Sequence, residues 1–235
     1  MKNKIKKWCN ANEISNYVIS DDGVIDVNGD VYLMVFSLKT LPFKFGIVTG
    51  DFWCTHGNLN TLKNSPDRVD GNFSCSTNQL TSLEFSPSYI GGNFICDKNE
   101  IRNLMFLPKY IGGDINMSNN LLSSLKGLPE EINGSLKVAN NKLTNIEYLS
   151  KKISGMLIIH RNPIGTLSGM PSYPYRLISL MHTDVPSEIS DLSKIISLEK
   201  VRIFCKYQSY YNVWTPSFNS PGFNELVEDI KDGLE

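Results

Sequence analysis

Three cysteines stand out among the residues that could do chemistry, because Cys54, Cys75 and Cys96 recur at an interval of 21 residues. Thiolates ligate zinc and act as nucleophiles, so this spacing first suggests a metal or redox site. Zinc sites, however, usually contain closely spaced cysteine pairs, and the chain has no CxxC motif. We therefore predict reduced thiols that pack as small apolar side chains in one buried column.

Histidines and glycine-rich loops offer no stronger catalytic motif. A hydrolytic triad needs a base beside a nucleophile on converging elements, and the three histidines, His56, His160 and His182, show no such arrangement. Neither a P-loop nor a GxGxxG motif that opens a helix is present. We therefore expect no catalytic residue, no bound metal, no cofactor and no enzymatic activity.

The elements that position these residues form six contiguous units of 21 residues, the first of which begins at Gly50. We call the equivalent positions of successive units a column. In each unit two apolar positions are separated by one outward position, and this alternation predicts a short strand. The first column consists of Phe52, Phe73, Phe94, Ile115, Leu136 and Leu157, and the second of Cys54, Cys75, Cys96, Met117, Val138 and Ile159. Three later apolar columns complete the core face of the unit.

Asparagine and proline hold fixed places later in each unit. The asparagine column is expected to bond backbone groups of its own and the adjacent turn, and it contains Asn78, Asn99, Asn120, Asn141 and Asn162, with Gly57 in the first unit. The proline column favours an extended return limb over a helix, and it contains Pro66, Pro87, Pro108, Pro129 and Pro171, with Ser150 as the exception. The leading glycines are expected to bend the chain, with positive φ possible.

One such unit cannot bury its apolar columns alone, whereas stacked units can. We predict a solenoid with a curved parallel β-sheet of roughly eight strands on its concave side and an irregular, extended convex side. Weaker units begin at Gly29 and at Arg176, where Ile178, Leu180 and Val185 continue the pattern. The repeat array is therefore expected over residues 29–196.

Residues 1–28 are predicted to cap the N-terminal end of the array. A short helix is expected around residues 5–11, followed by strands at 17–19 and 24–27. Asp21-Asp22-Gly23 between these strands is a typical hairpin turn.

Residues 197–235 are predicted to form a helical C-terminal cap. The alternation of Val201, Ile203 and Cys205 suggests a strand first. Ser220 then resembles an N-cap with Pro221 at the first helical position. The helix itself is predicted from the spacing of four apolar residues, Phe223, Leu226, Val227 and Ile230.

The outward strand positions are the candidate binding surface, because exposed aromatic and aliphatic residues on one face mark interaction sites. An alternative is that Tyr32 and Trp53 pack under the N-terminal cap, and Met156 and Ile158 under the C-terminal one. Two adjacent rows supply the predicted partner-binding residues, which are Tyr32, Asp51, Trp53, Asn72, Ser74, Asn93, Ile95, Asp114, Asn116, Lys137 and Ile158.

Composition narrows the class of partner. The 23 basic and 24 acidic residues nearly balance, so nothing attracts the chain to nucleic acid or to an anionic membrane. No apolar run reaches the roughly 18 residues of a membrane span, and no signal peptide is evident. We therefore expect a soluble, cytoplasmic protein that binds another protein.

In these columns the chain resembles the short leucine-rich repeats of bacterial effector proteins, over residues 29–185. The hairpin sequence NYVISDDGVIDVNGDV and the unit GG[ND]FxCxxN are also similar to a leucine-rich-repeat family of tailed bacteriophages and prophages. The resemblance implies an α/β leucine-rich-repeat solenoid encoded by a phage and active in the cytoplasm of its bacterial host. The expected partner is a host protein, for example one of a defence or regulatory system. Some of these effectors carry a ubiquitin-ligase domain, and we do not expect one here, because about fifty residues follow Val185.

Two other interpretations remain open. In the first, the protein is a structural or self-assembling subunit associated with the virion, and the same apolar row closes a homo-oligomer. In the second, a ligand-binding or catalytic cleft is built from the aromatic residues Tyr207, Tyr210, Tyr211 and Trp214.

Overall fold

The computed structural model of the chain describes residues 1–168, 170, 178–179, 186–187, 198–214 and 217–235. The chain begins with helix α1 (Lys2–Ala11) and a hairpin of strands β1 (Tyr17–Ile19) and β2 (Ile25–Val27). It ends with helices α2 (Leu198–Tyr207) and α3 (Ser220–Lys231). Between them, each turn of the chain contributes short strands to two different sheets.

The first set of strands forms an eight-stranded parallel sheet. Its strands, in spatial order, are β3 (Val31–Met34), β5 (Phe52–Thr55), β7 (Phe73–Ser74), β9 (Phe94–Ile95), β11 (Ile115–Asn116), β13 (Leu136–Lys137), β15 (Leu157–Ile158) and β16 (Ile178–Ser179). Equivalent residues of adjacent units pair directly, as Phe52 does with Phe73. The predicted register of 21 residues and the predicted number of strands are confirmed.

A second set of paired strands, divided between a six-stranded and a two-stranded sheet, occupies the limb that was predicted to be irregular and extended. Its strands are β4 (Phe45–Val48), β6 (Arg68–Val69), β8 (Tyr89–Ile90), β10 (Tyr110–Ile111), β12 (Glu131–Ile132) and β14 (Lys152–Ile153). The first four continue from the hairpin in the order β1-β2-β4-β6-β8-β10, and β12 pairs with β14 separately. The limb is extended as predicted but is not irregular, because a Val or Ile recurs here in register and brings the extended backbones within pairing distance. The molecule is a β-solenoid of parallel sheets.

The core is a stack of equivalent side chains from successive turns. The rings of Phe52, Phe73 and Phe94 lie nearly parallel, with centroids 5.8 and 6.1 Å apart along the stack. The next column, which contains Cys54, Cys75 and Cys96, is fully buried and its thiols are free. The predicted column of packed cysteines is confirmed.

The leading glycines are required by close approach and not by their backbone angles. None of the six glycines that open the regular units has a positive φ; Gly29, in the preceding unit, does. A Cβ at Gly92 would lie 2.6 Å from Asn72 Oδ1 and 3.0 Å from the Gly71 carbonyl carbon. The absent side chain therefore leaves room for a polar side chain of the preceding turn.

The N-terminal segment packs against the first turn of the solenoid. Helix α1 begins at Lys2, earlier than predicted, and buries Ile5 and Cys9. Trp8 meets Phe43 and Phe45 edge-on, with ring centroids 5.7 and 6.1 Å apart. The predicted hairpin is present, with β2 one residue shorter than expected.

The C-terminal segment differs from its prediction at one element. The expected strand at 201–205 is part of helix α2, and the burial of Phe204 between Ile203 and Cys205 is incompatible with strand alternation. Helix α3 is present as predicted, but its N-cap is Asn219, whose side chain accepts a hydrogen bond from the Gly222 N–H. Phe204 and Phe223 join the two helices at a centroid distance of 5.7 Å. The predicted repeat positions Pro171, Leu180 and Val185 lie outside the described residues.

Candidate partner-binding surface

The predicted outward residues of the eight-stranded sheet form one continuous row. Each is the direct neighbour of its equivalent in the next strand, so that Tyr32 lies opposite Trp53 and Lys137 opposite Ile158. The complete row is Tyr32, Trp53, Ser74, Ile95, Asn116, Lys137 and Ile158. The sequence therefore placed these side chains correctly relative to one another.

Exposed apolar side chains concentrate at the N-terminal end of this row. Tyr32 is 58% and Trp53 37% exposed, and their rings meet edge-on at a centroid distance of 5.9 Å. The alternative that the N-terminal cap covers them is wrong. Met34 and Phe36, which the sequence interpretation missed, are 78% and 62% exposed. We call Tyr32, Met34, Phe36 and Trp53 the aromatic patch.

The period-two alternation of this segment could have identified the two missed residues. Val31, Leu33 and Val35 are buried, so the residues between and after them must face outward. The predicted partner-binding residues came from only two rows, and the later outward positions of the four-residue strand β3 and of the residues after it were left out.

The outward row changes character beyond Trp53. Ser74 is only 3% exposed, because its small side chain lies between Trp53 and Ile95. The prediction that Ser74 is exposed is therefore wrong. Its hydroxyl lies 3.3 Å from the Ser76 hydroxyl. Ile95 and Ile158 are half-buried, as are the polar members of the row, Asn116 and Lys137.

The residues of the second predicted row form hydrogen bonds from each turn to the next, and we call this row the outer ladder. In it, a side-chain oxygen of each residue accepts the backbone N–H of its equivalent in the next turn. Asp51 N–H donates to Asp30 Oδ1 at 2.7 Å, and Asn93 N–H donates to Asn72 Oδ1 at 2.9 Å. The acceptors are Asp30, Asp51, Asn72, Asn93, Asp114 and Ser135. One oxygen of each is thus already engaged, and contact of Asp51, Asn72, Asn93 and Asp114 with a partner stays a prediction.

Asp114 carries an ion pair in addition to its place in the ladder. Lys137 Nζ lies 3.0 Å from Asp114 Oδ2, and both side chains are about one-third exposed. Partial burial acts to raise the pKa of Asp114, but the hydrogen bonds from Ser135 N–H and Lys137 Nζ outweigh it and leave that pKa below its ordinary value. The carboxylate is therefore ionised at neutral pH.

The asparagine column forms a second, buried ladder, which we call the inner ladder. Asn120 Nδ2 donates to the carbonyls of Cys96 at 2.9 Å and Met117 at 3.1 Å, and Asn120 Oδ1 accepts the Ile101 N–H at 2.9 Å. The pattern recurs at Asn78, Asn99, Asn141 and Asn162. The predicted bonding to the same and the adjacent turn is confirmed.

The exception in this column, Gly57, also has a steric cause. A Cβ at Gly57 would collide with the Val35 carbonyl oxygen of the first, irregular turn. The next residue, Asn58, instead donates its side-chain amide to the Phe36 carbonyl. Asn58 therefore makes the hydrogen bond to the first turn that a side chain at position 57 cannot make.

The buried cysteine thiols are the other groups that the sequence marked as candidates for chemistry. Burial raises the pKa of the Cys54 and Cys75 thiols, and it raises the pKa of Cys205 to about 12, so these thiols are protonated at neutral pH. In the described part of the chain, no group of three or more His, Cys, Asp or Glu side chains could hold a metal ion. His182 lies outside that part.

The aromatic C-terminal stretch uses its polar atoms internally. Tyr207 Oη lies 3.0 Å from the Glu235 carbonyl, and Trp214 Nε1 donates to Gln208 Oε1 at 2.7 Å. Tyr211 Oη donates to the Asp229 carboxylate, and this bond raises the pKa of Tyr211 to about 12. These contacts hold helix α2 and the segment after it against helix α3 and the C-terminal end.

Two further surfaces were not predicted from the sequence. On the return limb, Phe85, Phe106 and Tyr148 are exposed and adopt a left-handed backbone, with φ of 68°, 64° and 63°. On the second sheet, the Arg68 guanidinium lies 4.1 Å from the Tyr89 ring centroid. Tyr89 in turn stacks on Tyr110, with centroids 4.8 Å apart.

Comparison with protein-family models, with curated proteins and with solved structures finds no significant match. Among the described residues, no helix is long and apolar enough to cross a membrane. The geometry defines the class of the protein, a parallel β-solenoid with 21-residue turns.

Proposed function

We propose that this β-solenoid is a leucine-rich-repeat module that binds a partner protein through the outward face of its eight-stranded sheet. The repeat class is supported by the period of 21 residues and by the inner ladder of asparagines. The partner is proposed to seat on the aromatic patch and to extend along the row towards Ile95.

The single observation that carries the proposal is the exposed pair Tyr32 and Trp53. Large aromatic side chains that stay exposed beside each other are the typical anchors of protein interfaces, where they supply much of the binding energy. Most of the polar side chains beside them belong to the outer ladder. Tyr32 and Trp53 expose apolar surface to solvent, and a partner would remove that surface from water.

The identity of the partner is proposed from the resemblance to phage-encoded repeat proteins. It is a host bacterial protein, met in the cytoplasm of the host, and binding would inhibit a defence or regulatory system. Binding alone is the proposed activity. The protonated, buried thiols and the internal hydrogen bonds of Tyr207, Tyr211 and Trp214 support this view over an enzymatic one.

The test compares wild-type protein with two variants in capture experiments from host cells. The Trp53→Arg, Ile95→Arg double variant places two charges on the proposed surface, and Tyr110→Arg places one exposed charge on the other sheet as a control. We expect host proteins enriched by wild type and by Tyr110→Arg to be lost from the double variant, as measured by quantitative mass spectrometry. Equal enrichment by all three folded proteins would refute binding through this face.

A further inference from the structure

Strand β3 leaves one edge of the eight-stranded sheet open. The N-terminal hairpin could have covered this edge, but its strand β2 pairs with β4 and therefore extends the second sheet. Strand β3 pairs with β5 on one side, and among the described residues no strand pairs with it on the other. An unpaired edge is a template for pairing with another extended strand.

The hydrogen bonds to β5 fix which groups lie on the open side. Val31 N–H donates to the Asp51 carbonyl at 2.8 Å, and Val35 N–H donates to the Thr55 carbonyl. In a parallel ladder alternate residues face opposite neighbours, so the N–H and C=O groups of Tyr32 and Met34 point away from the sheet. Within the described residues these four groups have no backbone partner.

The side chains on this edge do nothing to prevent pairing. Proteins usually protect an open edge with lysine, proline or a bulge. The segment 31–36, VYLMVF, contains no charged residue and no proline. Its outward side chains, Tyr32, Met34 and Phe36, are all largely exposed.

We propose that a second copy of this chain covers the edge, by antiparallel pairing of β3 with β3 about a two-fold axis through Leu33. In this register Tyr32 of each copy lies opposite Met34 of the other as a hydrogen-bonded pair. Four main-chain hydrogen bonds then use all the open N–H and C=O groups of both copies. Each Tyr32 ring also gains a methionine side chain beside it, which is a favourable sulfur–aromatic contact.

A self-complementary strand is what a two-fold interface requires, because the same patch must fit itself. The charges at this end of the molecule also permit two copies to approach. Residues 1–30 contain four lysines and five carboxylates, so two identical ends carry almost no net charge towards each other.

The inference is independent of the proposed function. Pairing through the edge joins two eight-stranded sheets and places the two aromatic patches side by side, while the outward face stays open to a partner. Trp53→Arg tests the face alone, since Trp53 lies on the next strand and contributes no group to the open edge. A dimer that persists in Trp53→Arg would therefore separate the two proposals.

The first experiment measures the mass of the full chain by light scattering over a concentration series up to about 100 µM. We expect twice the chain mass of 26.4 kDa at high concentration, falling to one chain mass on dilution. Met34→Lys introduces an edge charge and should give a monomer throughout. Met105→Lys is the matched control, since Met105 is also exposed but lies on the return limb, and it should dimerise like wild type.

A second set of variants tests the main-chain pairing and its register. Met34→Pro keeps the side chain apolar but removes the N–H from the open edge, where proline is tolerated, so we expect a monomer with unchanged circular dichroism. In the Tyr32→Cys, Met34→Cys double variant, oxidation should link two copies, since residues opposite in a hydrogen-bonded pair lie about 5.5 Å apart. Met34→Cys alone should link far less, and the five native thiols are buried.

Three results would overturn the inference. They are a wild-type monomer at the highest concentration, a Met34→Pro variant that dimerises like wild type, and cross-linking of the single cysteine variant as efficient as that of the double one. The last result would show another register or random collision. If Met34→Lys and Met105→Lys weaken dimerisation equally, this result also contradicts pairing through the open edge of β3.

Discussion

The inner and the outer ladder are both polar columns with a spacing of 21 residues, but they tolerate different residues. Five of the six regular turns have asparagine in the inner ladder, whereas aspartate, asparagine and serine all occur in the outer one. The difference follows from the bonds. Asn120 must donate to carbonyls and also accept an N–H, while Asn93 only has to accept the Asp114 N–H, at 2.7 Å. Only an amide meets the first demand, and any side-chain oxygen of suitable reach meets the second.

Recurrence of a polar residue is therefore not by itself a sign of function. Both ladders join each turn to the next and satisfy backbone groups. The outer ladder lies at the surface, where its carboxylates resemble free binding residues, but one oxygen of each already accepts a backbone N–H. Three mutational tests follow from this difference.

The largest effect is expected for Asn120→Asp. The new carboxylate would be buried against the carbonyls of Cys96 and Met117 without a counter-charge, which costs about 3–5 kcal/mol of unfolding free energy. Asn93→Ser in the outer ladder keeps an acceptor and should cost less than about 1 kcal/mol. Urea unfolding of both variants measures the contrast. Similar losses at the two positions would show that the ladders do not differ in this way.

A medium effect is expected for Gly92→Ala, which places a methyl group against the outer ladder. The Cβ would approach Asn72 Oδ1 and the Gly71 backbone, and we expect a loss of about 1–3 kcal/mol. Gly165→Ala is the control, because no atom of the described residues lies within 4 Å of its Cβ and its φ is not positive. Thermal and urea unfolding should therefore leave that variant as stable as wild type. If Gly92→Ala leaves the free energy of unfolding unchanged, the turns can move apart to make room for the methyl group.

The smallest effect is a pH dependence at Asp114. Since the pKa of Asp114 is lowered in the folded state, its ionisation stabilises the protein above the unfolded pKa, and this contribution is lost as pH falls through the folded pKa. Asp114→Asn keeps an acceptor for Ser135 N–H but loses the titration. The stability difference between wild type and variant should shrink in the acid range below about pH 4. A difference that is constant with pH would contradict the assignment.

Much of the fold could be predicted because each turn repeats the same demands. The apolar columns, the cysteine stack and the inner ladder all follow from residue type and period. The outer ladder could not be predicted in the same way, since aspartate, asparagine and serine in a half-exposed column are equally consistent with solvent contact. The second sheet was missed because its limb has only one apolar column, which includes Val69 and Ile90, and a single column shows no alternation.

The candidate surface was predicted only in part. Tyr32 and Trp53 were placed correctly, whereas Ser74 lies buried because the size of its neighbours decides its exposure, and a column does not show this. Helix α2 was missed because the alternation of Val201, Ile203 and Cys205 fits a strand better than one face of a helix. The burial of Phe204, which decides between them, is a property of the tertiary packing.

The two ladders have a consequence for how such a chain can change over evolutionary time. Each turn presents the same set of donors above and acceptors below, so a segment of 21 residues can be duplicated or excised with both new junctions chemically equivalent to the old ones. Recombination within the gene can therefore lengthen or shorten the molecule without disturbing Tyr32, Met34 and their neighbours at its first turn.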